Sequence, residues 1–385
     1  MSYVAGQCTI RQPMTSKAIA IAAGGGGDVV TTSVLAPKLR HRFDVAAIMS
    51  YSWDRLIIDP TPGPRGVGDF DGLTRRHEMV AEVTESVRLR GPGRSTLPSL
   101  APYLAQPLLL MDPAGGAIGL ADQFRAASSG FGADTLIVVD VGGDILAEGH
   151  EAGLRSPLAD SLTLAAAVLS GLSVHLLIAG VGLDGELTPT ELRELLRRHS
   201  STAVAQIDAG DASMVAEVWN WHPSEANGLV CVAAEGWRGV VESQRDALID
   251  ITDDATSVYE VDAYGVAARS LSADLSDTVS LEQVEKRIRA RRGYSDIDTE
   301  RDRLSVRREQ RTPSIDTIDD IDRYAQSAGL RGVDALTIRR VIELTGAGGV
   351  QAGEMLRDML GRERPGNMRP PLYLIRPLSS TDESF

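Results

Sequence analysis

The sequence predicts an open, mainly parallel α/β sheet with helices on both faces, followed by a C-terminal helical region. Two observations carry that prediction. Short runs rich in Ile, Val, Leu and Ala alternate with stretches of helical periodicity, the pattern of a parallel sheet whose crossovers are helices. Three of the apolar runs end in turns of Gly and Asp: Gly24-Gly25-Gly26-Gly27-Asp28, Gly142-Gly143-Asp144, and Gly180 through Glu186. Open α/β sheets bind ligands beyond the carboxyl ends of their strands, and such turns bring backbone close to a ligand there.

The elements follow in chain order. Strands are expected at Ala18–Ala23, Val45–Tyr51, Pro107–Met111, Thr135–Asp140, Val174–Ala179, Leu229–Ala234 and Ser257–Val261. Each is a short apolar run bounded by turn residues. Helices are expected at Val29–Leu39, after the first glycine turn; at Leu158–Leu169, with apolar residues at helical spacing; and at Thr190–His199, where Leu192, Leu195 and Leu196 share one side. The Pro- and Gly-rich stretch Asp59–Asp69 suits a loop at the ligand edge. Beyond about residue 271 the strand signals fade, and Val284–Arg292, Ser314–Ala328 and Val333–Thr345 read as charged helices. The expected organisation is thus a ligand-binding domain at 1–270, a helical region at 271–364, and a Pro-containing tail at 365–385. Leu372–Ile375 in that tail reads as an edge strand or part of a flexible end, with Asp382–Phe385 disordered.

Composition narrows the function. A chain of 385 residues buries a sizeable core. Its net charge of −14 opposes a nucleic-acid partner, which needs basic surface. The basic stretch Arg287–Tyr294 reads as a solvated helix face. Cys8 and Cys231 are too few for a disulfide framework or a zinc site. No signal peptide and no membrane span is expected, since the longest apolar run is broken by Gly171. The expectation is a cytoplasmic protein with a small-molecule partner, no nucleic acid and no membrane. A homo-oligomer is compatible with the sequence.

The glycine turns supply the candidate site. Gly24–Asp28 lacks the third glycine of a dinucleotide fingerprint, where Val29 stands, and it lacks the Gly-Lys-Ser/Thr of a phosphate-binding P-loop. What remains is a strand, a glycine turn and a helix start, whose free N–H groups suit an anion. Asp28 caps that helix, or holds a cation or a sugar hydroxyl. The second turn groups Asp140, Gly142, Gly143 and Asp144, followed by Glu148, Glu151, Ser156 and Asp160. Carboxylates around glycine backbone suit an oxygen-ligated cation such as Mg²⁺, ribose or amine hydrogen bonding, or acid–base work. Asp140 and Asp144 are the expected metal ligands and, with Glu151, the expected catalytic residues. Ser156 binds ligand or starts a helix at Pro157. Asp184 and Glu186 add two carboxylates to the same edge, and Arg55 after the second strand can clamp a phosphate or carboxylate. His150 is the one histidine near this group and shows no metal spacing.

Taken together, GGGGDVV, Trp53-Asp54-Arg55 with DPTPGP, DVGGDILAEGHEAGLRSPLAD and GVGLDGEL resemble a bacterial and archaeal family of domains of unknown function. The resemblance spans roughly residues 16–270. Members usually carry Glu where this chain has Asp54. The resemblance implies a Rossmann-like fold and a shared site, and it implies no reaction.

Three functions fit these residues. The first is an enzyme binding a nucleotide or other anionic small molecule, with Mg²⁺-dependent phosphoryl or nucleotidyl chemistry; Gly24–Gly27 would cradle phosphate while Asp140 and Asp144 hold the metal or the sugar. The second is a metal-free enzyme acting on an amino-acid-like substrate gripped by Arg55. The third is a small-molecule sensor whose helical region reports occupancy.

Overall fold

The structure, a computed structural model, describes residues 15–306 and 311–377. Cys8 and the Asp382–Phe385 end lie outside the described residues.

Nine strands form the main sheet: β1 (Ser16–Ala22), β2 (Phe43–Ser50), β3 (Thr74–His77), β4 (Val80–Val83), β5 (Leu108–Leu110), β6 (Thr135–Val141), β7 (Ser173–Ala179), β8 (Thr202–Gln206) and β9 (Ser257–Val261). Their order is β8-β9-β7-β6-β1-β2-β5-β4-β3. The central strands β7, β6, β1, β2 and β5 are mutually parallel. Antiparallel pairs close both flanks. The chain runs from β1 outward through β2 to β5, then returns to the other side of β1 to lay down β6 and β7. The order therefore reverses between β1 and β6, the position where an open α/β sheet forms its ligand crevice.

Side-chain alternation divides each central strand between two cores. Ile19, Ile21, Leu136 and Val138 pack against α2 (Gly116–Phe131) and α3 (Leu158–Leu169). Leu192, Leu195 and Leu196 of α4 (Pro189–Arg198) join that same core. On the opposite face Ala18, Ala20, Ile137 and Val139 pack against α1 (Asp28–Lys38) and α5 (Glu225–Ala234). Helices thus cover both faces, as Rossmann-like architecture requires.

The α5 segment corrects a sequence expectation. Leu229–Ala234 reads as a strand, but it is the buried half of a helix. A short apolar run carries no period that separates a buried strand from a buried helix. Ser257–Val261 is a strand as expected, though antiparallel to its neighbours. Helix α2 and the hairpin β3–β4 went unread.

The C-terminal region comprises α6 (Leu281–Arg292), α7 (Asp296–Ser305), α8 (Ile315–Leu330), α9 (Ile338–Thr345) and α10 (Val350–Glu363). It also builds sheet structure. A five-stranded sheet runs in the order Leu248–Ile251, Gly239–Glu242, Ala335–Thr337, Leu372–Leu374 and Met368–Arg369. Residues 335–337, expected inside one long helix, are its central strand. Leu372–Leu374 lies inside this sheet, while Met368–Arg369 takes the edge. The boundary drawn at residue 270 consequently crosses a hydrogen-bonded sheet. Leu336, Ile338, Val341, Leu356 and Tyr373 form a third core beneath it.

Leu229 is fully buried, whereas Leu330 is 87% exposed. Leu229→Ala should lower stability by about 2–5 kcal/mol, and Leu330→Ala by less than about 0.5 kcal/mol. Equilibrium denaturation of the two variants checks the placement of α5 in the core.

Candidate functional site

A cavity of about 540 Å³ opens over the β1/β6 crevice. Its size suits a drug-sized ligand or cofactor. The three Gly/Asp turns converge on it from the ends of β1, β6 and β7, as their strand positions predict. Gly24, Gly25, Gly26, Gly27, Asp28, Asp140, Asp144, Asp184 and Glu186 all line it, with Arg55 and Ser156.

Three carboxylates meet at the floor. Asp28 opens α1, Asp140 stands next to the end of β6, and Asp160 lies in the first turn of α3. All three are buried, and one oxygen of each lies within 4.8 Å of the others. Asp28 Oδ2 accepts from the Gly24 N–H at 2.8 Å and Oδ1 from Asn227 Nδ2 at 3.0 Å. Asp140 Oδ2 accepts from the Gly143 N–H at 2.8 Å. Asp160 Oδ1 has no partner among the described residues. Two like charges at this spacing repel by about 3–4 kcal/mol at an effective dielectric constant of 20. Burial first, and then the neighbouring aspartates, push Asp140 and Asp160 well above the usual carboxylate range. Burial raises Asp28 to about 6, with Asn227, Gly24 and Arg55 opposing it.

Asp144 and Asp184 continue the acidic wall. Burial, then Asp160 and Glu186, raise Asp144 well above its usual range. Burial and Glu186 raise Asp184 to about 7. Asp184 Oδ2 has no partner among the described residues. Glu186 is held by the N–H groups of Arg155 and Ser156 at 2.6 and 2.9 Å, and by the Ser156 hydroxyl.

Guanidinium groups line the cavity as well. Arg55 has φ +58 and lies over the Trp53 ring at 3.7 Å, with Glu300 at 3.6 Å. A non-glycine residue in the left-handed region costs of order 1 kcal/mol and persists where surrounding contacts fix it. Arg155, Arg245, Arg303 and Arg339 line the same cavity, with Arg155 Nε 4.0 Å from Glu186 Oε1.

Several expected site residues take other roles. Glu151 does not line the cavity; its two oxygens accept the Glu148 and Gly149 N–H groups at 2.8 Å each, which fixes its own turn. Gly142 and Gly143 also lie off the cavity. At Gly142, with φ +131, a Cβ would come within 2.2 Å of Asp184 Oδ2, so this glycine lets the second and third turns pack together. Asp144 sits beside the trio rather than in it, and Asp28 and Asp160 take the places beside Asp140. Asp54 also lines the cavity, and it accepts from the Thr96 N–H and hydroxyl and from Ser52, which ties two loops together there.

Sequence reasoning missed Asn227, Asp296, Glu300 and the arginines at 155, 245, 303 and 339. They come from five separate segments whose convergence no local pattern announces. Asp160 reads in the sequence only as a further carboxylate after the second turn, outside the expected metal ligands, and the fold brings it into the trio.

A family model described as protein of unknown function, DUF1152, matches residues 19–304. The chain belongs to this family. The match contains all three Gly/Asp turns and the carboxylate trio. No curated protein and no solved structure matches the chain. Among the described residues, no helix of this family member is long and apolar enough to cross a membrane.

The raised aspartates set a direction for pH dependence. The folded protein binds the Asp28 and Asp184 protons more tightly than the unfolded chain, whose aspartates titrate near pH 4. Their contribution to stability is fully present below about pH 4 and is lost as pH rises through 6 to 7. Metal-free protein should melt at a lower temperature at pH 8 than at pH 5, and Asp140→Asn should shrink the difference. Thermal melts in chelator at the two pH values check this. An unchanged or higher melting temperature at pH 8 would contradict the assignment.

Proposed function

We propose that this protein is an enzyme that binds a divalent cation at Asp28, Asp140 and Asp160 and acts on a phosphorylated small molecule, most directly a nucleotide. The carrying observation is the trio itself, with its unpartnered Asp160 oxygen. Buried carboxylates at such spacing, with oxygen donors alone, match the preference of Mg²⁺. A cation there would supply charge neutralisation for phosphoryl oxygens. The crevice at the strand-order reversal supports a nucleotide-sized ligand.

The phosphate position differs from the one the glycine turn suggests. Asp28 already takes the Gly24 N–H, and the trio repels a bare anion at the start of α1. Phosphate therefore approaches through the cation and Arg55, with Gly24–Gly27 keeping the floor free of side chains. At Gly24 a Cβ would lie 2.9 Å from Asp28 Oδ2 and 3.1 Å from Asp160 Oδ1. The expected chemistry is phosphoryl or nucleotidyl transfer, driven by positioning and charge stabilisation.

The polarity of the cavity favours one other reading. An amino-acid-like substrate would set its ammonium against the carboxylates and its carboxylate against the arginines, with no metal.

Calorimetric titration separates the two. Wild-type protein should bind Mg²⁺ or Mn²⁺, and folded Asp140→Asn and Asp160→Asn should lose at least tenfold in affinity. A nucleotide should raise the melting temperature more with Mg²⁺ than without it. Stabilisation by free amino acids in chelator, with no metal binding, would select the second reading.

A further inference from the structure

The cavity also holds guanidinium groups, and the cation site makes no use of most of them. Arg245 stands on the turn after the Gly239–Glu242 strand, Arg303 on α7 and Arg339 on α9; all three line the cavity. These segments come from outside the parallel sheet.

Their donors are largely unspent. Arg245 Nε is buried with no partner among the described residues, and its backbone adopts φ +59. Arg303 makes no side-chain hydrogen bond or ion pair among the described residues. The nearest acid to Arg339 is Glu225, with Oε2 3.8 Å from its Nε. The acids on this wall are partly engaged elsewhere, although Glu225 keeps Oε2 toward Arg339 and Asp296 keeps a buried Oδ1 without a partner among the described residues. Glu225 accepts from the Gln244 N–H at 2.9 Å and from the Thr337 hydroxyl. Glu300 accepts from Trp53 Nε1 at 3.1 Å and from the Gly63 N–H at 2.8 Å. Glu343 accepts from Arg340 at 2.7 Å and from the Arg245 N–H at 3.0 Å. Asp296 accepts from the Leu158 N–H at 3.2 Å. Burial lowers the proton affinity of all three arginines, helped at Arg245 by Arg303, Arg155 and Arg339, and opposed at Arg303 by Glu343 and Glu300 and at Arg339 by Glu225. Arg245 and Arg303, half-buried and without an ion-pair partner among the described residues, are costly without a counter-anion.

We propose that Arg245, Arg303 and Arg339 form a phosphoryl-binding subsite that works independently of the cation. This deepens the reading above: the substrate would carry one phosphoryl group here while its reacting end faces the trio. The independence of phosphate binding from metal does not rest on that reading. A phosphoryl group suits this wall better than a carboxylate. It brings up to two charges and three oxygens, enough for donors that converge from three segments. A carboxylate offers one charge and two oxygens. Arg55 and Arg155 flank the subsite on the side of the carboxylates.

The test uses the full chain in chelator with inorganic phosphate as the probe, followed by calorimetry. Wild type should bind phosphate, and the affinity should fall as salt rises. Arg303→Gln and Arg339→Gln should each weaken phosphate binding by at least fivefold, with Arg303→Lys recovering part of the loss. Asp140→Asn should keep phosphate binding. Thermal melts establish that each variant is folded, and the two Gln variants on separate helices guard against one failing to fold. Absence of phosphate binding by wild type would overturn the subsite. So would equal affinity in both folded Gln variants, or tighter binding of malonate than of phosphate. A separate Mg²⁺ titration reports on the carboxylate trio alone. Loss of metal binding with phosphate binding intact would remove the cation reading and leave the subsite standing.

Discussion

Repulsion among buried carboxylates is the constraint around which the rest of this cavity is arranged. Parallel strands put the ends of β1, β6 and β7 on one edge, and each end turns through glycine into an acid. Asp28 and Asp160 sit in the first turns of α1 and α3, where the helix dipole offsets part of their charge. The Gly24 and Gly143 N–H groups offset a little more. Those donors do not satisfy the trio, since Asp160 keeps an unpartnered oxygen. A buried cluster of this kind costs stability unless a proton or a cation completes it.

The lining of the cavity comes from several parts of the chain. The strand ends of the parallel sheet and the helices that follow them supply the trio, Asp144, Asp184 and Glu186, while Glu225, Asp296, Glu300 and Glu343 come from other helices. The turn at Arg245 and helices α7 and α9 supply most of the guanidinium groups. The second sheet joins residues 239–251 to residues 335–374, so the C-terminal region is bonded to the segment that carries Arg245. The family match at residues 19–304 takes in the trio, Arg245 and Arg303, while Arg339 lies beyond it. Fold alone says little about chemistry, because Rossmann-like sheets serve many reactions. The combination of a buried carboxylate trio with several arginines in one cavity is the more specific statement.

The parts of this arrangement that are local in sequence were legible. Strands β1, β2, β6 and β7 and helices α1, α3 and α4 follow from period and punctuation. The glycine turns follow from backbone chemistry, and their convergence follows from the direction of parallel strands. What depends on tertiary context was not legible. Leu229–Ala234 is apolar enough for either a strand or a helix, and packing against α1 decides. Glu151 reads as a site acid from its neighbours, yet its own turn consumes both oxygens. Arg303 and Arg339 look like surface charge on polar helices until the fold carries them over the crevice.

The central claim is that Asp28, Asp140 and Asp160 together hold one divalent cation. Anomalous diffraction from crystals equilibrated with Mn²⁺ addresses it most directly. The account predicts a single strong peak with an oxygen of each of the three aspartates within bonding distance. A peak elsewhere in the cavity, or none at a concentration that saturates binding in solution, would contradict it.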